Sequence, residues 1–300
     1  MRTILILVLT AGASLQACTA GPDEEVGGRV SVVAGFYPLA FVADRIGGDC
    51  VSVTNLTPPG IEPHDIELSP DAVESIATAD VVLYLGRGFQ PTIEDAVRDS
   101  SGETVDLLDV VSTTPAEGEE AAEGLIVDPH VWLDPGRFAL IAEGTGDAID
   151  RAGGASSCDV AGAAASLRAD LESLDGDFRA SLGECERDLL VTNHAAFGYL
   201  ASAYGLRQEA IAGLEPETEP SARRLAELID LVEKEGVATI LTEEIVAPDV
   251  AETLAGEAGV DTAVLYTIEG LTDEESAAGE DYLSLMRKNL ETLRVALGCS

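Results

Sequence analysis

Only three histidines occur in the 300 residues, and each stands in a turn-like segment just past a strand-like run. His64 lies in Pro59-Gly60-Ile61-Glu62-Pro63-His64-Asp65, His130 in Asp128-Pro129-His130-Val131-Trp132-Leu133-Asp134-Pro135, and His194 in Thr192-Asn193-His194-Ala195. They are spaced 66 and 64 residues apart, so they form no local motif and can meet only by tertiary folding. A single histidine in a turn ordinarily serves as a solvated or capping group. Three at strand ends, with none elsewhere, raise a second reading: a nitrogen-rich metal site. Imidazole is a ligand for transition metals, and parallel α/β sheets collect ligands beyond the carboxyl ends of their strands. Such a site needs neutral imidazoles, so its affinity should fall as pH drops through ~6.5.

Other chemistry finds little footing. No GxGxxG or Walker A loop follows a strand, and neither GxSxG nor HExxH occurs. Glu243-Glu244 is a pair of carboxylates without a defined substrate cleft, which is weak evidence for acid–base catalysis. Asp65, Asp128 and Asp134 flank the histidines and suit either an outer partner of a ligand or a helix cap. Trp132, between His130 and Asp134, reads as a packed aromatic on the floor of the cleft. Net charge excludes another class: 55 acidic against 17 basic residues leave −38. A polyphosphate needs a cationic footprint, so nucleic acid is not a partner, whereas cations are attracted.

The elements that must carry the histidines alternate β and α twice. Strands are expected at Arg29–Ala34, Cys50–Leu56, Asp80–Leu85 and Thr104–Leu108, then at Asp188–Thr192, Arg207–Ile211, Val237–Thr242 and Thr262–Tyr266. Helices fall near Leu39–Ile46, Ser69–Thr78, Thr92–Asp99, Arg137–Arg151, Ala195–Tyr204, Ser221–Glu235, Asp249–Ala258 and Glu280–Leu297. Between the two series, Val160–Leu182 lacks proline and should form one helix of ~34 Å. The fold class is therefore α/β, with two lobes, each a four-stranded parallel sheet flanked by helices, joined by one long rigid helix over a cleft. Residues 29–156 form the first lobe, 157–184 the linker and 185–300 the second lobe. Residues 1–17 read as a signal peptide, with Arg2 ahead of a short apolar run. Leu15-Gln16-Ala17-Cys18 resembles a bacterial lipobox, which makes Cys18 a lipidation site and residues 18–28 a tether.

Several segments together resemble the zinc/manganese solute-binding proteins of ABC transporters. They are Phe36-Tyr37-Pro38-Leu39-Ala40, Thr57-Pro58-Pro59-Gly60 with Glu62-Pro63-His64-Asp65, Asp128 to Pro135, and His194 to Leu200. Gly213-Leu214 with Glu219-Pro220-Ser221, and Gly279-Glu280-Asp281-Tyr282, are similar to the same family. The resemblance implies an extracytoplasmic, lipid-anchored monomer that captures Zn²⁺ in the interlobe cleft and delivers it to an ABC permease. It carries over to His64, His130 and His194 as metal ligands. In much of the family an aspartate ends the strand at Ala263-Val264-Leu265 as fourth ligand, but Tyr266-Thr267 stands there in this chain. The fourth position is open to water, Glu62, Glu243 or Tyr266. Three imidazoles favour Zn²⁺ as the transported ligand over Mn²⁺, which prefers carboxylate and water. The acidic loop 115–124 replaces the His-rich loop of zinc-specific relatives and reads as a solvated insertion or a weak collector of cations. Arg223-Arg224 form an exposed helix face available to a permease. Two alternatives stand beside transport: a three-His zinc hydrolase or hydratase using an open position to activate water, and an adhesin on the same fold.

Four cysteines remain beyond Cys18. A ~34 Å helix separates Cys158 from Cys185, whereas a disulfide needs Cα atoms within ~7 Å. Strands run towards the metal and helices run back, which places Cys50 with Cys158, and Cys185 with Cys299, at the far ends of the lobes.

Overall fold

The computed structural model describes residues 28–64, 66–116, 124–153 and 158–300. The expected signal peptide, Cys18 and most of its tether, Asp65, and residues 117–123 of the acidic loop lie outside them. Runs of β-branched residues make the first sheet: β1 (Val30–Ala34), β2 (Val51–Asn55), β3 (Val81–Tyr84) and β4 (Glu103–Asp106). The second contains β5 (Leu189–Thr192), β6 (Arg207–Ala210), β7 (Thr239–Thr242) and β8 (Asp261–Val264). Both are wholly parallel and share one order, β2-β1-β3-β4 and β6-β5-β7-β8. The inner strands are buried along most of their length and the outer four are largely accessible. That division explains why apolar runs marked β1, β3, β5 and β7 so clearly.

Helices cover both sheets, and their starts are written in the sequence. Around the first sheet are α1 (Tyr37–Gly47), α2 (Pro70–Thr78), α3 (Pro91–Ala96) and α4 (Pro135–Arg151). The long α5 (Val160–Leu182) follows, then α6 (Gly198–Ala203), α7 (Ala222–Glu235), α8 (Asp249–Ala258), α9 (Asp273–Ala278) and α10 (Tyr282–Leu297). Ser69 caps α2 and Asp134 caps α4, each ahead of a proline whose missing N–H is no loss at that position. In α5, Leu167, Leu171, Leu174 and Phe178 recur at helical spacing and are fully buried.

Some expected elements are shorter. The strand expected to Leu108 ends at Asp106, whose carboxylate accepts from Leu108 N at 3.0 Å and turns the chain into a short 3-10 helix. The helix expected from Ala195 starts at Gly198, because Ala195 N donates to Gly213 O at 2.8 Å and holds the preceding segment as a turn. Helix α9 was not expected, although Thr272 and Glu275 form a reciprocal capping box at its start.

One continuous apolar core includes Val32, Leu83, Trp132 and Phe138 from the first half, Leu171 and Phe178 of α5, and Leu190, Phe197, Leu241 and Tyr282 from the second. Smaller cores lie under the other faces of the sheets, around Val82 and Ile76, and around Val191 and Leu228. Among the described residues, no helix is long and apolar enough to cross a membrane. Disulfides join Cys50 to Cys158, with Cα atoms 6.3 Å apart, and Cys185 to Cys299. The latter closes a loop of 114 residues. Replacing Cys185 and Cys299 by serine should lower the unfolding free energy by ~2–5 kcal/mol in denaturant titration, and non-reducing peptide mapping should recover the two pairs.

Candidate metal centre

The three histidines converge from three separate segments. His64 lies in the loop after β2; Gln90 Nε2 donates to Pro63 O at 3.2 Å, and the Phe89 ring lies edge-on 4.7 Å from the imidazole. His130 precedes the short turn Val131–Leu133, and His194 follows β5 directly. All three imidazoles are buried, together with a residue not singled out above, Glu269, beyond β8. Glu269 Oε1 lies 3.8 Å from His64 Nε2, 3.5 Å from His130 Nε2 and 3.7 Å from His194 Nε2. His130 Nε2 and His194 Nε2 are 3.2 Å apart. A tetrahedral zinc with bonds of ~2.0–2.1 Å spaces its ligand atoms about 3.3 Å apart. The Glu269 oxygen and the His130–His194 pair are set close to that spacing, and all four donor atoms lie within 4.8 Å of one another.

Behind each imidazole stands a carboxylate. Asp128 Oδ1 accepts from His130 Nδ1 at 2.8 Å and from its backbone N at 3.0 Å. Glu243 receives His194 Nδ1 at 2.8 Å and His194 N at 2.9 Å. Glu215 Oε2 lies 3.1 Å from His64 Nδ1, at ion-pair distance but off the line of a well-formed hydrogen bond. Since a carboxylate only accepts, the Asp128 and Glu243 bonds put a proton on Nδ1 of His130 and His194 and turn their Nε2 atoms towards the common centre.

A strained turn delivers Glu269. Ile268 is fully buried with φ +56°, a conformation β-branched residues avoid. The buried Glu244 carboxylate accepts from Thr267 N at 3.0 Å and Ile268 N at 2.9 Å, while Trp132 Nε1 donates to Thr267 O at 2.8 Å. Strain of ~1–3 kcal/mol is offset by two bonds to the Glu244 carboxyl, each worth ~0.5–1.5 kcal/mol for an uncharged acceptor. Strand-end reasoning stopped at Tyr266 and missed Glu269 for this reason. The available signal was a lone glutamate between Ile268 and Gly270 in an otherwise apolar segment.

The other expected candidates have different places. Tyr266 lines a surface groove with Val264 and Val295, its ring 5.7 Å from Lys288 Nζ. Glu243 holds His194 from behind, and Glu62 sits beside the centre, 3.9 Å from His64 Nε2. Asp134 caps α4 and meets Arg137. Trp132 is fully buried, its ring centroid 5.1 Å from that of His130. Of the pair expected as an exposed face, Arg223 is exposed, but Arg224 is tied to Ala210 O and Glu209 along β6.

Charge at the centre is unbalanced without a cation. Both Glu269 oxygens are buried without a hydrogen-bond partner among the described residues, as is Glu62 Oε2. Burial alone would raise the Glu269 carboxyl, yet the imidazoles outweigh it and hold it well below the carboxylate range. Burial would likewise lower His64, but Glu215, Glu269 and Glu62 raise it to about 10. Desolvation, with Glu269 nearby, pushes Glu62 up to about 8. The metal-free centre thus keeps protons in place of a cation.

A profile of the family described as zinc-uptake complex component A, periplasmic, matches residues 32–296. The chain belongs to this family. Zinc-binding protein AdcA of Streptococcus pyogenes serotype M3 is 36% identical over 288 residues, covering 89% of this chain and 56% of its own length. This member of the family thus spans little more than half of the AdcA relatives it matches. High-affinity zinc uptake system protein ZnuA of Bacillus subtilis is 33% identical over 303 residues, covering 97% of this chain and 94% of its own. Among solved structures, the Zn(II)-bound ZnuA-like domain of Streptococcus pneumoniae AdcA superposes with a TM-score of 0.77 at 36% identity, covering 90% of this chain and 99% of that one. The laminin-binding protein Lmb of Streptococcus agalactiae, described as having adhesin and metal-transporting activity, superposes at 0.80 with 27% identity, over 89% and 99% of the two chains.

The raised groups give the metal-free protein a defined pH response. A group raised on folding stabilises below its unfolded pKa and loses that stabilisation as pH climbs through its folded value. Glu62, Glu244 (also raised to about 8, by burial) and His64 all act in this direction. The thermal midpoint of chelator-treated protein should therefore fall from pH 6.5 to 10, less so in Glu62→Gln; a flat or rising midpoint would contradict a protonated centre.

Proposed function

We propose that this protein is an extracytoplasmic solute-binding protein that captures one Zn²⁺ with His64, His130 and His194 through Nε2 and with Glu269 through a carboxylate oxygen. One observation carries the reading: a fully buried carboxylate whose oxygens lack hydrogen-bond partners, facing three imidazole nitrogens at ligand spacing. Three nitrogens and one oxygen suit zinc better than manganese. The zinc-binding and zinc-uptake relatives support the same cargo. A fourth protein donor also counts against the hydrolase alternative, which needs an open position for water.

Capture follows from the geometry. Asp128 and Glu243 hold the Nδ1 protons of His130 and His194, Glu215 stands 3.1 Å from Nδ1 of His64, and the incoming cation displaces the protons that the centre retains. Because the donors come from both halves of the fold, loading should stabilise the whole chain by mass action. Delivery to an ABC permease, and lipid anchoring through Cys18 at the outer face of the membrane, complete the proposal. The family's place in zinc-uptake complexes supports the first, and the lipobox-like Leu15-Gln16-Ala17-Cys18 supports the second.

Calorimetry on metal-free protein should give one zinc per chain. His64→Ala, His130→Ala, His194→Ala and Glu269→Ala should each lose more than the roughly 10–100-fold that an outer partner contributes, while Tyr266→Phe stays near the parent. Parent-like affinity in any of the four would remove that residue from the site. Metabolic labelling with a radioactive fatty acid should mark the parent and leave Cys18→Ala unmarked; equal labelling would place the lipid elsewhere.

A further inference from the structure

The three carboxylates behind the imidazoles are not equivalent. Asp128 is two residues from His130, and Glu243 follows β7 beside the strand that leads to His194, so each pair belongs to one half of the fold. Glu215, from the turn after β6, reaches His64 of the loop after β2 and thus joins the two halves. Its side chain is also the most accessible of the three, 28% exposed against 12% for Asp128 and 1% for Glu243. The root of its loop is fixed beside His194 by the bond from Ala195 N to Gly213 O, while Glu217 and Glu219 further along are exposed.

We propose that Glu215 is a positioning residue that ties His64 to the second half of the fold and sets the rate at which the cargo leaves. This rests on the metal site proposed above and concerns its kinetics. When a cation takes the Nε2 lone pair, the remaining proton of the neutral imidazole sits on Nδ1, and coordination makes that N–H a stronger donor. Glu215 Oε2 is already 3.1 Å away and needs only better alignment to accept a charge-assisted bond. The tie is therefore strongest in the loaded protein. Withdrawing the exposed loop would free one ligand while His130, His194 and Glu269 keep their own supports. Any partner that pulls on this loop would open the centre from the His64 side.

The test follows zinc transfer from loaded full-length protein to excess chelator by stopped flow, in the parent, Glu215→Ala, Glu215→Gln and, as a loop control, Glu217→Ala. Glu215→Ala should release zinc about 10–100-fold faster. Glu215→Gln, which keeps an acceptor, should recover part of the difference, and Glu217→Ala should match the parent. Proton NMR of the loaded parent should show a slowly exchanging His64 Nδ1–H, and Glu215→Ala should lose it. An unchanged release rate in Glu215→Ala, or equal acceleration by Glu217→Ala, would overturn the positioning role while leaving the metal site intact. A parent that holds no zinc would overturn both.

Discussion

A carboxylate buried without a donor is among the least favourable groups that a fold can carry, and Glu269 is such a group. Much of the surrounding structure makes sense as the apparatus that keeps it there. Glu244, itself buried, holds the backbone of Thr267 and Ile268 in a conformation they would otherwise leave. Asn289 of α10 secures the preceding residue through both Tyr266 N and Tyr266 O at 2.7 Å. Trp132, from the other half, grips Thr267 O, and Tyr282 OH in turn donates to Trp132 O at 2.5 Å. The arrangement is stable only if positive charge occupies the centre, as protons on imidazole or as a metal ion.

The same contacts bind the halves together. Besides the Trp132 bonds, Tyr199 OH donates to Asp128 O and accepts from Thr114 N, both at 2.8 Å, so His130 and its carboxylate are fastened from across the fold. With one core running through both halves and α5, a wide hinge opening would expose buried apolar surface at about 25 cal/mol per Å². Small local movements of loops are therefore favoured over separation of the sheets. The loop that bears His64 contains Gly60 at φ +70°, a conformation most other residues would resist, and meets the second half near Gly270.

How much of this could be read without coordinates differs from one element to the next. Central strands and capped helices announced themselves, because buried β-branched runs and Ser-Pro or Asp-Pro starts are local signals; α5 matches its expected limits, Val160 and Leu182. The convergence of His64, His130 and His194 was also legible, since strand direction in a parallel sheet is dictated by topology. Glu269 was not, because its approach depends on a left-handed isoleucine held by a glutamate more than twenty residues earlier. Glu215 was hidden similarly: in a chain with 55 acidic residues, nothing local separates a carboxylate that faces an imidazole from one that faces water.

Trp132 is the only tryptophan in the chain, and it is wholly buried with its ring against His130. Its indole N–H is bonded to the turn that leads into Glu269. Tryptophan emission, excited on the red side of the tyrosine band, therefore comes from a single indole seated on the floor of the centre beside the His130 imidazole. Nature has in effect placed an optical probe at the one spot where occupancy changes the local field, with no second indole elsewhere to dilute the signal.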